Sequence, residues 1–203
     1  MSNLEATLKR LRVANLQRLP LFKNRRGEPA HSRPDGSDWS MAEWTNAVAG
    51  EVGEACNIAK KLRRGDFGPP YTPGYIAGCS ELAHELADVV IYADLTCFRC
   101  GHSTDTLISN IDLGVNNANG LAECTNRIAE WAGQACGDAD WITSAKFASP
   151  GEREDMLRSV AVRLAAAVRA AEAACVVADR DICEAIVEKF NIVSDRVGCE
   201  VKL

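Results

Sequence analysis

The chain lacks an apolar run long enough to cross a bilayer; runs such as Ala165-Ala-Ala-Val168 cover barely one helical turn. No membrane partner is therefore expected. The opening residues, Met-Ser-Asn-Leu-Glu, lack the apolar core of a secretory signal, and the expected compartment is the cytoplasm. A basic surplus is also missing. Lys and Arg number 23 against 28 Asp and Glu, giving a net charge of -5. A duplex nucleic-acid binder carries a basic face, so nucleic acid is not an expected partner. A triphosphate site is not excluded, because metal ions and a few local cations can neutralise the phosphates. Strand-type alternation of useful length is absent, which makes the fold class all-α. No internal repeat is evident.

Cysteine, by contrast, is abundant: nine residues, scattered from Cys56 to Cys199. Without a secretory signal these read as reduced and mostly buried thiols. Cys97-Phe-Arg-Cys100-Gly-His102 invites a zinc site, but no second CxxC or HxxxH pair exists to complete four ligands.

Helical periodicity organises the rest. Leu4, Leu8, Leu11 and Leu16 predict a helix over 1–19. Residues 20–38 hold three prolines, two glycines and the basic side chains Lys23, Arg25, Arg26 and Arg33. They read as a solvated linker, the alternative being a flap that brings cations to phosphate or shapes a base pocket. Ser40-Met-Ala-Glu43 is a capping box, and Trp44, Val48, Val52, Ala55, Ala59 and Leu62 form an apolar stripe behind it. The Gly/Pro-rich stretch 65–79 reads as a loop, followed by a helix from about Ser80 to Cys100 with Leu82, Leu86, Val89 and Ala93 inward. Further helices are predicted at 121–136, from Pro150 to about Val177 behind the cap of Ser149, and from Ile182 to Val197 behind Asp181.

Two acidic signatures stand on these helices. Glu51-Val-Gly-Glu54 and Glu85-Leu-Ala-Asp88 each set two carboxylates three residues apart, on one helical face. A carboxylate beside a core stripe is costly to bury unless it is paired or ligates a metal. Four such groups from facing helices suit hard divalent cations, Mg²⁺ first and Mn²⁺ as substitute, with a bound phosphate chain supplying further oxygens. Glu51, Glu54, Glu85 and Asp88 are the expected metal ligands, and Glu54 is the candidate to take a proton from an attacking water. Lys61, Arg64 and Lys189 are the candidate cations for a leaving pyrophosphate. Tyr92 lies one turn beyond Asp88 on the same face and should point toward the ligand. Solvated helices carry such acidic pairs by chance as salt-bridge partners, so the pattern alone leaves both readings open.

The string GEVGEACNIAKKLRRGD, Gly50 to Asp66, resembles the first metal motif of the MazG-like all-α nucleoside triphosphate pyrophosphohydrolases, and ELADVVIY, Glu85 to Tyr92, is similar to their second. EKFNIVSDRVG, Glu188 to Gly198, resembles the family's last helix. The resemblance, closest to the phage-type branch, implies that Tyr92 lines the base pocket and that Lys189 and Asn191 approach phosphate and sugar. Trp39 and Trp44 sit where the family places aromatic or His residues near the nucleotide, although core packing would account for them equally well. It further implies a homodimer or homotetramer that cleaves (deoxy)nucleoside triphosphates between the α and β phosphates, giving a monophosphate and pyrophosphate.

The resemblance covers about 36–113 and 181–203. With the N-terminal helix and basic loop read over 1–38, it divides the rest into metal-site helices over 39–114, a helical insertion over 115–180 and a closing helix over 181–203. The insertion should pack through Ile128, Trp131, Leu157, Leu164 and Val168 and supply no metal ligand. It could imitate a neighbouring subunit, extend a dimer or cover the base. Competing functions are a nucleotide-sensing helical protein without turnover, and a hydrolase of another phosphoanhydride such as an alarmone or a nucleotide sugar.

Overall fold

The computed structural model describes residues 3–31, 33, 38–111, 120–144, 147 and 149–203. The fold is all-α. The described helices are α1 (Asn3–Arg18), α2 (Met41–Arg64), α3 (Pro73–Arg99), the short α4 (Thr104–Ile108), α5 (Leu121–Ser144), α6 (Pro150–Val177) and α7 (Ile182–Arg196), with a 3₁₀ turn at Leu19–Leu21. Among the described residues none of these helices is long and apolar enough to cross a membrane. Val115, where the expected insertion begins, lies outside the described residues.

Helix starts follow the predicted caps. Ser40 Oγ accepts from the Glu43 amide while the Glu43 carboxylate accepts from the Ser40 amide, so α2 begins at Met41. Ser149 Oγ caps α6 and the Asp181 carboxylate caps α7. Two boundaries differ from expectation. α3 begins at Pro73, not near Ser80, with Thr72 as its cap. The glycines that suggested a loop lie inside the helix because the preceding turn packs onto it. A Cβ on Gly74 would stand 2.4 Å from the Phe67 carbonyl oxygen, and one on Gly78 2.6 Å from the Phe67 ring. α5 runs on to Ser144, past Gly133 and Gly137, because Ala135, Ala139 and Ile142 continue its buried stripe.

α2, α3, α5 and α6 form a four-helix bundle in which every neighbouring pair is antiparallel. Leu62 of α2 meets Gly78 of α3, whereas Trp44 at the other end of α2 packs with Leu95. Cys56 and Cys136 hydrogen-bond across α2 and α5, Cys97 bonds the Ala161 carbonyl of α6, and Arg163 of α6 pairs with Asp138 of α5. The predicted stripe of α2 and that of α3 are buried throughout, and Ile128, Leu164 and Val168 fill the centre opposite them; Trp131 and Leu157 are partly buried against it. Alanines along α6 let it approach closely.

α1 lies across α3, α4 and α7 and buries Leu4, Leu8 and Leu11, with Leu16 only half-buried. It is locked by Arg12, which donates to both carboxylate oxygens of Asp94 and to the carbonyl of His102. Asn15 and Thr104 satisfy the remaining lone pairs of Asp94, which is 1% exposed. Leaving such a buried carboxylate without its partner costs about 3–5 kcal/mol, so this network fixes how α1 sits on the bundle. All nine cysteines are free thiols. Burial pushes the Cys97 thiol up to about 12, which suits core packing and not metal ligation.

Candidate metal centre

The antiparallel crossing of α2 and α3 turns two sequence signatures into one site. Glu51 leaves α2 at the border of its apolar stripe and is half-buried; Glu54, a turn later, faces solvent. Glu85 and Asp88 leave α3 half-buried. One carboxylate oxygen from each of Glu51, Glu54 and Glu85 lies within 4.8 Å of the others. Asp88 joins them through α7: Lys189 Nζ stands 2.7 Å from Asp88 Oδ2 and 3.7 Å from Glu85 Oε1.

Four acids and one ammonium leave the site with excess negative charge, and the titration behaviour reflects it. Burial, then the charges of Asp88, Glu54 and Glu85, push the Glu51 carboxyl from 4.5 to about 7. Glu85 is raised chiefly by burial, with Lys189 opposing and Asp88 and Glu54 adding to the rise. Burial also raises Asp88 against the pull of its Lys189 hydrogen bond and of Arg18. Lys189 loses charge stability by burial but gains more from Asp88, Glu85 and Glu51, and ends above its ordinary value. All the anionic donors are oxygens, the set preferred by Mg²⁺, Mn²⁺ and Ca²⁺, and a divalent cation offsets both the burial and the repulsion that hold Glu51 and Glu85 up. The residues present therefore fit a hard divalent metal.

Two further groups back the site. Arg18 of α1 is 2% exposed, donates to the Phe190 carbonyl at 2.7 Å and stacks 3.6 Å over the Phe190 ring. Burial lowers it to about 10, and its charge is felt at Asp88 and Tyr92. On the other side, Tyr92 leads from Asp88 into an aromatic cluster. His31 stacks on Trp39 with ring centres 4.7 Å apart and touches Phe22 at 4.9 Å, the edge of Trp44 at 5.6 Å and Tyr92 at 6.2 Å. Arg99 lies 5.4 Å over the Trp44 ring. Burial, against the charge of Asp38, lowers the His31 pKa, so its ring is neutral at physiological pH. Tyr92 is raised by burial and by the charges of Glu51 and Asp88.

The structure therefore brings Glu51, Glu54, Glu85, Asp88, Lys189 and Tyr92 together, with Trp39 and Trp44 in the adjoining cluster. Trp44 is 1% exposed and packs as a core residue, whereas Trp39 is half-buried. Three expected contributors lie elsewhere. Lys61 is two turns beyond Glu54 on α2, about 10 Å along the axis. Arg64 pairs with Asp66, and the Asn191 amide oxygen accepts from the Leu203 amide, tying down the C-terminal residues. The sequence reading missed Arg18, Phe22 and His31. His31 sits in an irregular segment with no periodic pattern to mark it. That segment is not a solvated linker throughout: Lys23, Arg25 and Arg26 are exposed, but Phe22 and His31 turn inward.

No family model, curated protein or solved structure matches the chain.

Proposed function

We propose that this chain is a divalent-metal-dependent nucleoside triphosphate pyrophosphohydrolase of the MazG-like kind, converting a (deoxy)nucleoside triphosphate and water to a monophosphate and pyrophosphate. The observation that carries the proposal is the meeting of three carboxylate oxygens from two helices within 4.8 Å, directly beside an aromatic cluster. Mg²⁺ held by Glu51, Glu54, Glu85 and Asp88 would offset phosphate charge and lower the pKa of a water.

The chain's own residues then divide the work. Glu54 is the solvent-facing acid of the four and takes the proton of the attacking water. Lys189, held by Asp88 and Glu85, presents an ammonium to the charge that builds on the departing pyrophosphate. Arg18, dry and locked on Phe190, adds fixed positive potential behind Asp88. Tyr92 joins the phosphate end of the site to the aromatic end, where half-buried Trp39, backed by buried His31, offers a flat face to a base. The pocket chemistry does not single out a base; pyrimidines lead by analogy with the resembled family, and dGTP is the main rival.

A panel of dNTPs and NTPs incubated with Mg²⁺, with products resolved by ion-exchange chromatography, tests the reading. Turnover of at least one nucleotide that stops with a chelator supports it. Nucleotide binding without turnover across the panel would leave a sensor in its place.

A further inference from the structure

α5 repeats α2. Aligned on Met41 and Leu121, the two 24-residue helices share the same residue at nine positions. These include Ala42-Glu43 with Ala122-Glu123, Thr45-Asn46 with Thr125-Asn126, Gly53 with Gly133, and Ala55-Cys56 with Ala135-Cys136. α6 repeats α3 in the same way, 78 residues on: Leu86-Ala87 with Leu164-Ala165, Val90 with Val168, Ala93 with Ala171, and Cys97 with Cys175.

Alanine-rich helices match by accident, but three geometric facts do not follow from composition. Cys56 Sγ donates to the Thr125 carbonyl and Cys136 Sγ to the Thr45 carbonyl, which are one contact seen twice across a local two-fold axis. α3 and α6 end alike: Gly101 and Asp179 both take positive φ, at 80° and 56°, and His102 N bonds Cys97 O as Arg180 N bonds Cys175 O, both at 2.9 Å. Finally, the short α4 packs on α6 while α7 packs on α3, as the same axis requires.

The acids are what the second half lacks. Opposite Glu51, Glu54, Glu85 and Asp88 stand Trp131, Gln134, Arg163 and Ala166. Where Glu54 and Glu85 face each other as two carboxylates, Gln134 accepts a hydrogen bond from Arg163, whose Nε bonds Asp138 at 2.6 Å. The mirror position is thus closed by a neutral amide and an ion pair. Ile111 stands opposite Lys189. Lys189 itself belongs to the second half yet reaches the acids of the first.

We propose that the chain is a fused, asymmetric dimer: residues 121–196 act as a permanently tethered partner that has lost its own metal site and completes the surviving one with Lys189. The bundle face that a second copy would occupy is filled from within, so the protein works as a monomer with one metal site per chain. The assembly stands independently of the hydrolase reading, whereas the metal count rests on it.

Light scattering and sedimentation of the full chain, with Mn²⁺ binding read by electron paramagnetic resonance, test it. The expected result is one species of 21.9 kDa at all concentrations. Mn²⁺ binding should be lost in Glu54→Gln and unchanged within twofold in Gln134→Ala. A two-chain species that dissociates on dilution, with bound Mn²⁺ per chain falling in step, overturns the proposal, as does loss of Mn²⁺ from folded Gln134→Ala. A 21.9 kDa species that binds no Mn²⁺ upholds the fused dimer and removes the metal reading instead.

Discussion

Lys189 Nζ lies 2.7 Å from Asp88 Oδ2, so the C-terminal helix inserts a cation among four acids drawn from two other helices. The ammonium partly does what a metal would do, and the two compete for Asp88. Lys189→Met should lower turnover by about 10²-fold, the scale of losing one charged group aimed at developing charge. Mn²⁺ affinity, measured by calorimetry, should hold or rise. A fall in affinity matching the fall in turnover would show that Lys189 merely supports the ligands.

The acids themselves give the second expectation. Glu51→Gln, Glu54→Gln, Glu85→Gln and Asp88→Asn should each reduce turnover by orders of magnitude while far-ultraviolet circular dichroism stays native, because each removes a ligand from an overcharged site and no core contact. Near-wild-type rates in any two of them contradict the assignment.

Glu51 makes stability depend on pH. The folded chain holds its proton up to about pH 7, whereas the ordinary value is 4.5. The folded state therefore binds more protons between these values, and metal-free stability falls as pH rises through that window. Glu51→Gln should melt about 2–4 °C above wild type at pH 8, the response of a chain this size to ~1 kcal/mol, and close to wild type at pH 5. Saturating Mg²⁺ should reverse the order at pH 8. A thermal-melt difference that is flat from pH 5 to 8 would count against the crowded-carboxylate account.

Tyr92 stands between the acids and the His31–Trp39 stack, where its ring can close on the sugar and crowd a 2′-hydroxyl. Deoxynucleotides should be preferred by a modest factor, and Tyr92→Ala should raise KM more than it lowers kcat. Equal kcat/KM for dCTP and CTP, and for dGTP and GTP, would show that the sugar is not read there.

The acidic signatures and their helices were legible because spacing alone puts ExxE and ExxD on one face beside a core stripe. The start of α3 was not, because Gly74 and Gly78 look like loop residues until the packing of Phe67 against them is seen. Nor was the place of His31, which is set by tertiary contact and not by local pattern. The duplication stayed hidden because it survives in small residues such as Ala, Thr, Asn and Cys. The acids that would have announced it have become Trp131, Gln134, Arg163 and Ala166.

The most direct test of the account is the bond that breaks. With Mg²⁺ and the best nucleotide of the panel, ion-exchange chromatography should show a monophosphate and pyrophosphate in equal amounts, and a phosphate assay should stay negative until pyrophosphatase is added. A nucleoside diphosphate with free orthophosphate, or no turnover of any nucleotide by protein shown to bind Mn²⁺, would contradict it.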